Sequence, residues 1–254
     1  MSVSIVVPSF QDDRLIALFT GMEAREPGSV ASVIVLDNGL TEGVRAQWPQ
    51  ARYLPVPGDP FVAAQAFNIG FAAVPEHDVV VLGDDVEILT SNWLQAIRQL
   101  FDSWPMAYGL LSFAETTTPG VYGRMPPPLS PIEMPTVATG SGIAMPRRIL
   151  KEIGPWDETL IGYGFDDFDY GLRLLHAGYL LGVAGDVMLH TDAQAAGWVK
   201  RLGSWEAMLK KQDVNFELFH RKWTGCVPPR PWVVERPETD VHFKRFACHC
   251  REES

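Results

Sequence analysis

Three short, almost continuously apolar runs mark the first half of the chain: Val3 to Val7, Val33 to Leu36 and Val79 to Leu82. Each closes on polar residues or glycine, the pattern of strands buried on both faces rather than the alternation of a half-exposed sheet. Between them apolar residues recur at helical spacing. Asp12 or Asp13 is placed to cap a helix through Leu15, Ile16, Leu18 and Phe19, and Phe61 to Val74 gives an Ala-rich helix. Ser91 is placed to cap a third, with Trp93, Leu94, Ile97, Leu100 and Phe101 on one stripe. Strand and helix in alternation predict an α/β fold, a mostly parallel sheet flanked by helices, with ligands beyond the carboxyl ends of the strands. The segments that follow the three runs fit that edge: Pro8-Ser9-Phe10-Gln11-Asp12, Asp37-Asn38-Gly39 and Gly83-Asp84-Asp85-Val86-Glu87.

The pattern breaks from Thr116 to Pro135, where six prolines accompany Gly120 and Gly123. That composition sustains neither helix nor sheet and predicts a long loop, either a lid or surface decoration. Order resumes over Ala138 to Met145, and Gly140-Ser141-Gly142 there leaves room for close approach by a backbone or ligand. A strand is expected at Val187 to His190, and Ser204 to Trp223 forms an amphipathic helix with Trp205, Met208, Leu209, Phe216, Phe219 and Trp223 largely on one side. At 254 residues, 46 % hydrophobic and 20 % charged, the chain fits one large core with an appendage, and no internal repeat is visible. No apolar run approaches the roughly eighteen residues of a membrane span, and the run before Pro8 is too short for a signal peptide. The expectation is a soluble, cytoplasmic protein. Cys226, Cys248 and Cys250 cannot form an even disulfide framework; with His242 and His249 they are either free thiols on a tail or, at non-standard spacing, zinc ligands.

The net charge of −10 is unevenly spread, with 13 more acids than bases before residue 200 and three more bases than acids from residue 200 onward. An acidic body disfavours binding to nucleic acid by phosphate neutralisation and suits a site that gathers divalent cations. Acid is most concentrated in Phe165-Asp166-Asp167-Phe168-Asp169-Tyr170-Gly171-Leu172-Arg173, where three carboxylates fall in the opening turn of a helix ended by Gly178. One or two would serve as ordinary capping groups. Asp166 and Asp169 share a face and Asp169 can pair with Arg173, which leaves Asp167 turned away and without a partner. A carboxylate beside two others resists ionisation, which suits a general base; the plainer reading is a solvated acidic cap.

Asp84, Asp85 and Glu87 at a hydrophobic strand end are costly unless a cation compensates them, and such oxygen donors suit Mn²⁺ or Mg²⁺ rather than zinc. His190 ends another strand and can add an imidazole ligand, although a lone histidine more often serves structure. Asp37 can accept hydrogen bonds from a nucleobase or ribose, but Asp-Asn-Gly is also a common turn. Trp156, Tyr163 and Phe165 can offer an apolar face to a sugar ring; core packing explains large aromatics at least as often.

Taken in order, Ile5-Val6-Val7-Pro8-Ser9-Phe10, Val35-Leu36-Asp37-Asn38-Gly39, Asn68-Ile69-Gly70-Phe71, Leu82-Gly83-Asp84-Asp85-Val86-Glu87, Gly154-Pro155-Trp156-Asp157-Glu158, the acidic helix, Ala177-Gly178-Tyr179 and His190 resemble glycosyltransferase family 2. These are inverting nucleotide-sugar glycosyltransferases of the GT-A fold, and the acidic run looks most like that of bacterial galactofuranosyltransferases. The resemblance implies a Rossmann-like GT-A domain over residues 1 to 200, its nucleotide-binding half to 115 and its acceptor-binding half from 116, with a C-terminal helix and tail over 201 to 254. It implies Asp167 as catalytic base and Asp166, with Trp156 and Tyr163, at the acceptor. Pro8, Ser9, Phe10, Asp37, Asn68 and Asp84 then line the nucleotide pocket, and Asp85 and His190 hold the metal. The expected activity is metal-dependent, inverting transfer from a nucleotide-diphosphate sugar, UDP being the family's commonest nucleotide, to a hydroxyl of a glycan, lipid, protein or modified nucleic acid. Gly83 stands where the family often has Asp or Asn, and Gln11 where it usually has Asn. A non-catalytic nucleotide- or carbohydrate-binding homologue is the alternative. A sugar-phosphate nucleotidylyltransferase fits less well, because Pro8 to Asp13 has neither Gly nor Lys for a phosphate loop.

Overall fold

The computed structural model describes residues 2–58, 61–116, 130–131, 142–162, 164–191 and 201–223. Its first strands are β1 (Val3–Ser9), β2 (Val33–Asp37), β3 (Arg52–Pro55), β4 (Asp78–Leu82) and β5 (Val86–Ile88). They are followed by β6 (Tyr108–Thr116), β7 (Ser130–Pro131), β8 (Gly142–Met145) and β9 (Leu180–Thr191). The strands form one sheet in the order β3-β2-β1-β4-β8-β6-β9-β5, with β7 on β9. β1 runs parallel to β2 and β4, and β2 to β3; β8 runs antiparallel between β4 and β6, and β6 is again parallel to β9. β5 and β7 both run antiparallel to β9, so four of the eight strand pairings are parallel and four antiparallel: the sheet is mixed, with its continuous parallel part in β3-β2-β1-β4.

Side chains of the central strands alternate between two cores, as the two-residue period of a strand requires. Ile5, Val7, Val33, Val35, Val80 and Leu82 join one cluster with α1 (Asp12–Arg25) and α4 (Trp93–Asp102), through Leu15, Phe19, Trp93 and Ile97. Val6, Ile34, Leu36, Val79 and Val81 join the other, with α3 (Ala63–Ala72), α5 (Arg147–Ile153) and α6 (Asp166–His176). A short α2 (Glu42–Gln47) follows β2. The C-terminal α7 (Trp205–Lys222) closes a third cluster, laying Phe216 and Phe219 against Leu160, Phe165 and Leu172.

Helix starts differ from the sequence expectation. Gln11, not Asp12 or Asp13, occupies the N-cap of α1 and makes no side-chain cap bond. Asp12 instead accepts from Thr41 N and Oγ1 at 3.1 and 2.6 Å. Ser91 does not cap α4 either: Glu26, at the end of α1, accepts from Leu94 N at 2.7 Å and so supplies the cap from a distant element. Ser204 does cap α7, accepting from Ala207 N at 3.1 Å. Within the Pro-rich stretch, Ser130 and Pro131 pair with Val183 and Gly182 of β9, so two residues expected in a loop join the sheet; most of the remainder lies outside the described residues, as does the tail with Cys226, Cys248 and Cys250. The strand expected at Val187 to His190 begins seven residues earlier, at Leu180.

Candidate functional site

The parallel strands send their carboxyl ends to one rim. Ser9 and Asp37 are paired in the last register position of β1 and β2, and Asp84 and Asp85 follow β4 within three residues. β9 runs parallel to β6 and brings His190 to the same rim, opposite Glu87 of β5. α6 packs on β6 and β9 and ends just before β9 begins, so its first residues point back to that rim. A parallel bridge between Val62 and Gly162, just ahead of α3 and α6, ties the two approaches together.

Two carboxylate groups result. In the first, Asp84 Oδ2 accepts from Ser9 Oγ at 2.7 Å, and Arg14 Nη1 lies 3.8 Å from Asp84 and 3.6 Å from Asp85. Burial outweighs these contacts and pushes the Asp84 carboxyl up to about 6, with neighbouring Asp85 adding to the rise. Asp85 is also raised, again chiefly by burial, with Arg14 opposing. Gly83 has a steric reason: a Cβ there would sit 2.6 Å from Asp85 Oδ1, so a side chain would push this carboxylate out of its present place. Two hard oxygen donors that burial leaves short of positive charge fit a divalent ion of the Mg²⁺ or Mn²⁺ type. No three His, Cys, Asp or Glu side chains form a metal-holding group among the described residues. Asp84 and Asp85 therefore form such a group neither with His190 nor with Glu87.

In the second, Phe165 takes φ of 73°, a left-handed conformation unusual for a bulky residue, directly after Gly164 at 87°. Its ring is held by Phe168, Phe216 and Phe219, which secure the strained turn. α7 also backs the loop, because a Cβ on Gly162 or Gly164 would touch Lys211 or Gln212. The turn delivers Asp166 and Asp167 half-buried at the rim, and neither pairs with a Lys, Arg or His side chain among the described residues. Burial lifts Asp166 to about 6, against backbone N–H bonds that favour its ionised form and with Asp169 reinforcing the rise. Asp167 is lifted well above the ordinary carboxylate range, first by burial and then by Asp166. Asp167 Oδ1 accepts from Phe168 N at 2.8 Å, part of the capping role.

Asp169 does not pair with Arg173. It is fully buried, and its Oδ1 accepts from Lys222 Nζ at 2.7 Å and Trp223 Nε1 at 2.8 Å, both at the end of α7. Lys222 also meets Asp157 at 2.6 Å, and its bonds help hold that carboxyl down at about 2. Arg173 turns the other way, donating to Pro155 O at 2.6 Å and to Ile153 O.

Several expected pocket residues serve structure here. Trp156 is 3 % exposed, stacked on Tyr170 and edge-on to Phe67, so as placed it is a core residue rather than an open platform. Asn68 clamps that turn, accepting from Trp156 N at 2.9 Å and donating to Trp156 O and Glu158 Oε1. Asp37 accepts from Gly39 N and Leu40 N through Oδ1 and from Arg45 Nε and Nη2 through Oδ2, which fills the four lone-pair directions of a carboxylate. Phe10 and Pro8 are partly exposed at the rim, and Tyr163 lies outside the described residues. Sequence reasoning missed Arg14, Arg45, Lys222 and Arg201, whose partners are carried by other elements. Only the ring of acids at the strand ends hinted that such cations were needed.

Comparison with solved structures supports the architecture. The chain superposes on GalNAc-T7 with UDP, GalNAc and Mn²⁺ at a TM-score of 0.60 and 13 % identity, covering 90 % of this chain and 52 % of that one. It therefore spans about half the length of that protein. S. aureus TarS 1-349 in complex with UDP-GlcNAc gives 0.60 at 12 % identity, over 88 % of this chain and 73 % of that one. The mannosyltransferase PcManGT from Pyrobaculum calidifontis, with GDP-Man and Mn²⁺, gives 0.56 at 16 %, over 87 % and 68 %. No family model and no curated protein matches the sequence. At these identities the likeness is one of fold: a GT-A, Rossmann-like α/β sheet flanked by helices, with a C-terminal helix added.

Proposed function

We propose that the chain is a metal-dependent, inverting glycosyltransferase that moves a sugar from a nucleotide-diphosphate donor to an acceptor hydroxyl, in the manner of glycosyltransferase family 2. One observation carries the reading: a half-buried carboxylate pair beside Arg14, and a half-buried carboxylate that pairs with no Lys, Arg or His among the described residues, lie on the same rim of a GT-A sheet. Asp85 with Asp84 would hold the divalent ion, which supplies positive charge against the donor diphosphate. His190 would add to that site on donor binding. Pro8, Ser9 and Phe10 line the nucleotide side, with Asp37 behind them fixing the β2 turn. Asp166 positions the acceptor hydroxyl. Asp167 Oδ2 takes its proton as the hydroxyl oxygen attacks the anomeric carbon opposite the departing diphosphate, and the configuration inverts. Burial raises the proton affinity of Asp167, which makes it a stronger base once ionised, so turnover rises with pH through its titration.

The test is release of nucleoside diphosphate from a panel of UDP- and GDP-sugars with Mn²⁺, in wild type and Asp167→Asn. Donor turnover in the wild type and its loss in the variant, with donor binding retained, is the expected result; equal turnover in both removes Asp167 from the chemistry. The missing three-ligand metal group among the described residues favours a second reading, a donor-binding homologue without turnover. Binding of a nucleotide sugar without even slow Mn²⁺-dependent hydrolysis would select it.

A further inference from the structure

A slot at the rim is filled by the chain itself. The Arg201 guanidinium carbon lies 5.0 Å from the Phe10 ring centre and 4.6 Å from that of Phe61. Its Nη2 donates to Asn38 Oδ1 and Gly58 O, both at 2.5 Å. The Asn38 amide is oriented for this, because its Nδ2 is held by Val56 O at 3.3 Å and Pro57 O at 3.0 Å, which leaves Oδ1 to accept. Two aromatic faces and two acceptors thus receive a flat, delocalised group that donates N–H bonds in its own plane. A nucleobase has that chemistry: it stacks on aromatic rings and presents N–H donors at its edge. Phe10 and Asn38 directly follow β1 and β2, on the nucleotide side of the proposed site.

We propose that Arg201 is a displaceable plug in the nucleobase slot: its guanidinium imitates the base, and the base must expel it to bind. The inference rests on the proposed nucleotide-sugar reading and adds a residue that limits donor affinity. A site competent only when Arg201 has left shows an apparent affinity reduced by the plugged fraction. Lysine keeps the charge but lacks the planar fork, so it should plug poorly.

The experiment is calorimetric titration of the full chain with UDP and with GDP, in Mn²⁺, for wild type, R201A, R201K and F61A. R201A and R201K should both bind more tightly than wild type, by about tenfold if the plugged state dominates, and F61A more weakly. The arm with the larger gain identifies the base. Unchanged or weaker binding in R201A, with wild-type binding intact, overturns the plug and leaves the glycosyltransferase reading standing. Tightening in R201A alone, with R201K like wild type, also overturns it, because charge rather than shape would then be at work. No binding of either nucleotide by any folded form sinks the nucleotide-sugar reading and the plug together.

Discussion

The strand-end acids and the acidic helix solve the same electrostatic problem in opposite ways. Both bury carboxylates at one rim. Asp84 and Asp85 share a loosely placed Arg14, at 3.6 to 3.8 Å, while Asp37 is fully tied by Arg45. In α6 the innermost acid, Asp169, is neutralised by Lys222 and accepts a hydrogen bond from Trp223, and the two acids before it, Asp166 and Asp167, have no cation among the described residues. Burial raises the proton affinity of both groups, but the first already shares one cation, Arg14, and the second has none among the described residues. In the proposed reading, that difference, more than the number of acids, separates the metal site from the base.

Four measurements test this contrast. The largest effect is expected from Asp167→Asn, which removes a general base and should lower transfer by about 10²- to 10⁴-fold with donor binding retained; a parallel loss of donor affinity would make the residue structural. Next, Lys222→Met leaves buried Asp169 and nearby Asp157 without their shared cation. It should cost about 2–3 kcal/mol in urea unfolding, reduced from a fully buried pair because Lys222 is partly exposed. A change under half that would mean α7 is held by its aromatic contacts alone.

The third compares the regions by pH. Asp84, raised to about 6, binds a proton more readily folded than unfolded, so its ionisation costs stability as pH rises from about 4 through 6. Asp157, held at about 2, has the opposite sign: its contribution is present above about 4 and is lost as pH falls through about 2. Asp84→Asn should therefore stabilise the protein at pH 7, by about 1–2 kcal/mol, and lose that advantage near pH 4; denaturant curves at the two pH values test the sign. The smallest effect is expected from Arg14→Gln, under about 1 kcal/mol, since its contacts lie beyond hydrogen-bond distance. A larger loss would show that Arg14 is as structural as Lys222.

What the sequence determined was set by local periodicity. Val3 to Val7, Val33 to Leu36 and Val79 to Leu82 read as buried strands because they are apolar throughout except for Ser4, and the acids after them mark the rim. Ser204 was legible as a cap, and of the expected α7 stripe Met208, Phe216 and Phe219 are buried while Trp205 and Leu209 are exposed, because it is the later turns of α7, through Phe216 and Phe219, that pack against α6 and the turn before it. Capping of α1 and α4 was not, because Asp12 found Thr41 and α4 found Glu26, partners that sequence spacing does not bring near. Asp169 was assigned to Arg173 by the one-turn rule, yet Lys222 reaches it from 53 residues away. Trp156 read equally as platform or core until Phe67 and Tyr170 closed on it. Strand and helix periods record which faces are buried, so they survive in one dimension. Which charge meets which acid, and which ring or guanidinium fills a slot, depends on segments far apart in the chain, and only the folded sheet brings those together.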